Sequence, residues 1–294
     1  MKPNMYNTTP SSLVTIYNET GLSENSTCHQ LQLSHKTILL VIYSTILIGG
    51  TLGVILMSFC LLKSHSRSTS TIVVINLVAT HSVFLVTIPF RISYYVQNQW
   101  NYGFFFCKVS SSMVHIHMYL SFLFYVVLLA TKYLTFLTIY RKPYVVAASV
   151  LIWVVVILIV FPTYFSNYGS SERYAHGRCF QFQRELKRKS VIIINYMASS
   201  CMIVVICTLV ACQGVILAKV IKTHSGSLSA HLEFGAQKTP LTFLLIMLVC
   251  FLPYQLFRIH YVKNIDADCS ATLSPYNEIL LAFTGGSTLD SLLF

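Results

Sequence analysis

The sequence predicts an all-α membrane protein, a seven-transmembrane helix bundle, and three observations carry that prediction. Of its 294 residues, 55% are hydrophobic and only 10% charged, where a soluble domain carries about 25% charged residues. Apolar runs recur at about 37–62, 70–96, 106–134, 144–165, 190–221, 239–262 and 273–294, each long enough for the roughly 20 residues that a helix needs to cross the hydrocarbon. None alternates with a two-residue period, which favours helices over a membrane barrel.

Residues 1–36 are polar and form the predicted extracellular arm; 37–294 form the bundle. The first apolar run is too long and too late for a cleaved signal peptide, so the first span is expected to act as a signal anchor. Three sequons, at Asn7, Asn18 and Asn25, point to a glycosylated arm and an outward amino terminus. Basic residues run against that orientation. Only eight of the 20 Lys and Arg (Lys63, Arg67, Lys132, Arg141, Lys142, Lys219, Lys222 and Lys238) would lie near the cytosol, contrary to the usual bias. The sequons and cysteines set the orientation instead. The +11 net charge then becomes partly an outward-facing field that favours anionic ligands. The basic run RELKRK at 184–189 reads equally well as a solvated loop. No motif supports nucleic-acid binding.

Each span has its own signature. In the first, Gly49 and Gly53 form a GxxxG pair that permits close helix approach. The second carries His81 at mid-membrane, then Pro89 and Arg91. A charged side chain there costs roughly 2.5–3.5 kcal/mol, so His81 should face the interior and find a partner. The third runs from Cys107 to Lys132, 25 steps, or roughly 38 Å of helix. Ser111, His115, Met118, Tyr119 and Phe122 share one of its faces. His115 and His117 are separated by about 200° of rotation and cannot share one ion, so no metal site is expected.

The fourth span holds Trp153 and Pro162, and the fifth opens near Asn195-Tyr196 without a proline. In the sixth, Pro253 removes one helical hydrogen bond and makes a hinge within Cys250-Phe251-Leu252-Pro253-Tyr254. Gln255 and Arg258 follow, and Arg258 can hold a carboxylate or phosphate bidentately or snorkel to the interface. The seventh ends Gly286-Ser287-Thr288-Leu289-Asp290-Ser291-Leu292-Leu293-Phe294. Nine cysteines divide into four in outer segments (Cys28, Cys107, Cys179, Cys269) and five within spans. Four outer thiols allow three pairings.

Together these motifs, from about residue 28 to 294, resemble the rhodopsin-like (class A) G-protein-coupled receptors, in an orphan group near the purinergic-like branch. Thr131-Lys132-Tyr133 stands where the family has Asp-Arg-Tyr. Phe251 replaces the tryptophan of the Cys-Trp-x-Pro switch, and Asp290 is kept in a changed Asn/Asp-Pro-x-x-Tyr motif. The resemblance implies Cys107–Cys179 and Cys28–Cys269 disulfides. It implies a ligand cavity lined by Arg258, Tyr119, His115, Gln255, Tyr254 and Tyr276, with Arg91 a weaker second anchor. It also implies an inner switch of Lys132, Tyr133, Phe251, Pro253, Asp290, His81 and Ser121. The family's second-span aspartate binds sodium with partners at Ser121 and Asp290. His81 at that position suggests a His81–Asp290 contact in the ion's place, against a neutral hydrogen-bonded core histidine.

The implied function is transduction: an extracellular ligand, an acidic small molecule or lipid, activates a heterotrimeric G protein from the plasma membrane. The rival is a receptor-fold protein that binds ligand or a partner receptor without signalling. Its basis is Lys132, Ser291 and the lack of an eighth helix or tail after Phe294, expected of a truncated product or degenerate paralogue. No cofactor is implied. The polar residues assemble no nucleophile–base pair, so an enzyme is not expected.

Overall fold

The structure is a computed structural model that describes residues 11–63, 68–135, 142–162, 179–180, 188–224, 228–264 and 270–292. The described residues are almost wholly helical. Helix α1 is Ser11–Lys63, α2 Thr69–Gln97, α3 Gly103–Thr135 and α4 Lys142–Val155, which continues as a π turn, Val156–Val160. Helix α5 is Lys189–His224. Helix α6 joins Leu228–Ile246 to Leu252–Lys263 through a π turn at Met247–Phe251. Helix α7 is Ser270–Thr284 and tightens into a 3-10 run, Gly285–Leu292.

Five of these rods are long and apolar enough to cross a membrane: Ser34–Lys63, Thr69–Gln97, Gly103–Tyr133, Lys189–Lys222 and Gln237–Lys263. The α1 backbone is helical well upstream of its apolar part. Helix α4 is a shorter apolar rod, Lys142–Leu158. Helix α7 differs because it packs polar groups inward: Thr284, Ser287, Thr288, Asp290 and Ser291 are all buried. Outward-facing apolar side chains such as Ile48, Ile55 and Phe59 of α1 and Met197 and Val204 of α5 suit contact with lipid tails.

Local chemistry explains the breaks. Ser68 caps α2 by accepting from the Thr71 amide at 3.2 Å, satisfying one of the open donors of the first turn. Asn98 ends that helix in the left-handed conformation, φ 56°, which asparagine tolerates better than most residues. Pro253 sits just past the π turn of α6, where its missing N–H frees a carbonyl and allows the extra residue in the turn. Close packing of α1 on α7 rests on the glycines. A Cβ on Gly50 would lie 2.9 Å from Thr288 Oγ1, and one on Gly53 3.0 Å from Ser291 Cβ. The core between the rods is aromatic, with Tyr43, Phe84, Phe124, Tyr125, Phe243 and Phe251 fully buried.

Candidate ligand site and buried polar switch

At one end of the bundle, Cys107 at the head of α3 is bonded to Cys179, with Cα atoms 6.0 Å apart. The bond packs with Trp100, Phe90, Tyr94 and Phe180 and sets Phe180 over the bundle. The Cys28–Cys269 pairing lies outside the described residues, as do Asn7 and the side chains of Asn18 and Asn25.

Beneath that cap lie two buried arginines. Arg258 of α6 is 4% exposed and so does not snorkel. Its Nε donates to Asn195 Oδ1 at 2.9 Å and its Nη1 to Asn277 Oδ1 at 3.1 Å. The Asn195 amide is itself oriented by donating to the Val191 carbonyl at 2.7 Å. Helices α5 and α7 thus orient the guanidinium with two neutral amides. Arg91 of α2, 2% exposed, is more heavily committed. It donates to Tyr43 Oη at 3.1 Å and to the Ser110 carbonyl at 2.8 Å, with the Phe180 ring centre 4.3 Å from its guanidinium carbon. That makes Arg91 a clamp between α1, α2, α3 and Phe180. Beside it, Tyr95 donates to Glu278 of α7.

His115, Gln255 and Tyr254 are buried, and Tyr119 is partly so. Gln255 donates from Nε2 to Met118 Sδ at 3.4 Å. Tyr276 stands apart from this set. It is 48% exposed and meets the His35 ring of α1 edge-on at 5.5 Å. The residue that α7 sends to Arg258 is the next one, Asn277.

Deeper in the bundle, a polar cluster joins α2, α3 and α7. His81 Nε2 lies 3.3 Å from Asp290 Oδ1. This is ion-pair range, although Nε2 makes no aligned hydrogen bond there. Tyr125 donates to Asp290 Oδ2 at 2.6 Å and Ser291 to Oδ1 at 3.0 Å. On its other side His81 Nδ1 meets His117 Nε2 at 3.0 Å, and Ser121 Oγ lies 3.3 Å from that same nitrogen. The residues do not suit sodium: His81 offers no anionic oxygen, and both Asp290 oxygens are already engaged. His117 and Tyr125 were not anticipated as members. The signal for His117 was present, since it precedes Ser121 by four residues and therefore shares its helix face.

Between the two layers sits Phe251, fully buried, edge-on to Phe122 at 6.1 Å and tilted against Tyr125 at 6.0 Å. It touches Phe122 of α3 and Tyr125, the donor to Asp290, at once. Pro253 lies two residues beyond it.

At the opposite end Lys132 is exposed, while Thr131 is buried and donates to the Leu128 carbonyl at 2.6 Å. Tyr133 donates to Gln213 Oε1 at 2.8 Å, and Gln213 Nε2 donates to Gln237 Oε1 at 2.9 Å. This relay ties α3, α5 and α6 together. The two glutamines carried no recognisable motif, and only folding brings them to Tyr133.

Residues 50–284 match the family model for the seven-transmembrane receptors of the rhodopsin family. The chain belongs to that family. It is a multi-pass plasma-membrane receptor and belongs to no enzyme class. The receptor is 45% identical over 280 residues to the probable G-protein coupled receptor 141 of Homo sapiens, covering 92% of this chain and 91% of that one. It is 26% identical to the 2-oxoglutarate receptor 1 of Rattus norvegicus, over 83% of this chain and 75% of that one. It is 27% identical to the cysteinyl leukotriene receptor 2 of Mus musculus, over 84% and 83%.

Proposed function

We propose that this receptor binds an anionic ligand, an acidic small molecule or lipid, on its extracellular side and activates a heterotrimeric G protein. In this reading residues 1–36 are a glycosylated external arm, and Arg258 is the anion anchor. The observation that carries it is the buried Arg258 guanidinium, aimed by Asn195 and Asn277. A cation taken out of water into a low-dielectric interior attracts an anion far more strongly than it would at the surface. Two relatives are named for 2-oxoglutarate and for cysteinyl leukotrienes, both carboxylic acids, which agrees with that preference. Binding at the outer layer would bear on Phe251, and through Tyr125 on the Asp290 cluster, shifting the bundle between two states.

The test is G-protein dissociation in cells that display the full chain, against a panel of carboxylic and phosphate-bearing metabolites. Arg258→Gln should abolish responses that the parent receptor gives, at equal surface expression. Retention of those responses overturns the reading. The exposed Lys132 beside Thr131 favours the second reading, a receptor-fold protein that binds without signalling. Silence in the same assay, with Lys132→Ala indistinguishable from the parent, supports that alternative.

A further inference from the structure

We propose that the turn between α2 and α3 is a wedge seated in the membrane. Its aromatic ribbon of Tyr102, Phe104, Phe105 and Phe106 lies in the headgroup layer of the leaflet on the disulfide side, and phospholipid is what covers it. These four side chains are between 37% and 59% exposed. Apolar residues scattered singly over a surface are ordinary, whereas adjoining ones mark a contact with protein or membrane.

The local sequence is wrong for water. A helix that starts in water favours an oxygen-bearing cap and acidic residues in its first turn. The first turn of α3 has no acidic residue and reads Gly-Phe-Phe-Phe-Cys. Successive residues turn by about 100°, so the three phenylalanines cover most of the circumference that the buried Cys107 leaves. A helix apolar all round belongs in a core or in a membrane. The ribbon is also held in place. Trp100 Nε1 donates to the Gly103 carbonyl at 2.7 Å, and Gly103 takes φ 76°, which glycine adopts without strain. Phe106 stacks on Phe90 of α2 at 5.8 Å, and Tyr102 meets the same ring edge-on at 5.1 Å. The rings are therefore presented at little ordering cost.

Depth and continuity select lipid as the occupant. From the exposed Lys132 to Phe106, α3 runs roughly 39 Å. A bilayer has about 30 Å of hydrocarbon and is about 40–45 Å thick with its headgroups, so Phe106 falls in the headgroup layer. On α2, Val83 and Val86 are exposed and share the face that reaches Phe90 one turn further on. The ribbon thus continues a stripe suited to lipid tails. Its polar tips fit the same depth: Tyr102 Oη lies 2.8 Å from Ser93 Oγ, and Lys108 Nζ lies 4.7 Å from the Phe104 ring centre. Apolar bodies with polar tips are the pattern of membrane-interface side chains. Because Phe106 directly precedes Cys107, the wedge sets the depth at which the Cys107–Cys179 bond sits.

The test uses the full-length receptor, one copy per phosphatidylcholine nanodisc, with tryptophan placed at Phe105. This is an aromatic for an aromatic at an exposed position, and the emission of the parent, from Trp100 and Trp153, is subtracted. The Phe105→Trp signal should be lost when the phosphatidylcholine is brominated near the headgroup end of its chains, and should be shielded from iodide in the water. Gln99→Trp, exposed beyond the end of α2, should show the reverse. Iodide quenching at position 105 as strong as at 99 overturns the proposal, and is the result expected of a face kept for a protein partner or a second copy. Insensitivity of the Phe105→Trp signal to brominated lipid overturns it as well.

Discussion

Replacing His81 with leucine tests the buried cluster most directly. Asp290 is 4% exposed, and its oxygens are met by Tyr125 at 2.6 Å, Ser291 at 3.0 Å and His81 at 3.3 Å. Of these only an imidazole can bring positive charge. Removing one partner of a buried pair typically costs about 3–5 kcal/mol, because the remaining charge is left uncompensated. Two hydroxyl donors stay in place here, so the lower end applies, about 3 kcal/mol. Asp290→Asn removes the charge and should cost less once His81 is already gone. The two substitutions should therefore couple by at least about 1–2 kcal/mol in a double-mutant cycle. The assay is unfolding of the full-length receptor in nanodiscs, with surface expression in cells as a second readout. If the single effects add to within about 0.5 kcal/mol, the His81–Asp290 contact carries no energy and the reasoning fails.

Three further predictions rest on other contacts. Gly50→Val should push α1 away from α7, because a Cβ there already meets Thr288 Oγ1 at 2.9 Å and Leu85 Cδ2 at 3.0 Å. A loss of about 1–3 kcal/mol is expected, whereas Gly214→Ala, with nothing within 4 Å of its Cβ, should be neutral or slightly stabilising. Gln213→Leu breaks both links of the Tyr133–Gln213–Gln237 relay. Hydrogen exchange over the turns of α6 around Gln237 should rise, and unchanged protection there would mean that the relay does not hold α6. Loss of the Cys107–Cys179 bond, which spans 72 positions, should cost about 4 kcal/mol in the chain-entropy model. A Cys107→Ser receptor that melts with the parent under oxidising conditions would contradict it.

The bundle was legible from the sequence because the bilayer imposes a one-dimensional rule: long uncharged stretches must be helices that satisfy their own backbone. The GxxxG pair and the opposed faces of His115 and His117 follow from helical periodicity, the inward-facing His81 from the cost of a polar group in lipid, and the hinge from the N–H that proline lacks. Arg258 could be marked as a candidate, but whether it pointed to lipid or to the interior could not, since both are open to a long side chain near a helix end.

Contacts between rods were decided by the fold. Asn195, Asn277 and Arg258 come from three helices, as do Tyr133, Gln213 and Gln237, and none of these sets has a spacing that links them along the chain. Tyr276 and Asn277 show how fine the distinction is: one residue step turns a side chain by about 100°, which separates the α1 side of α7 from the arginine. Periodicity fixes which residues share a face of one helix; the rotation of each helix about its axis, set by packing against its neighbours, determines which faces meet.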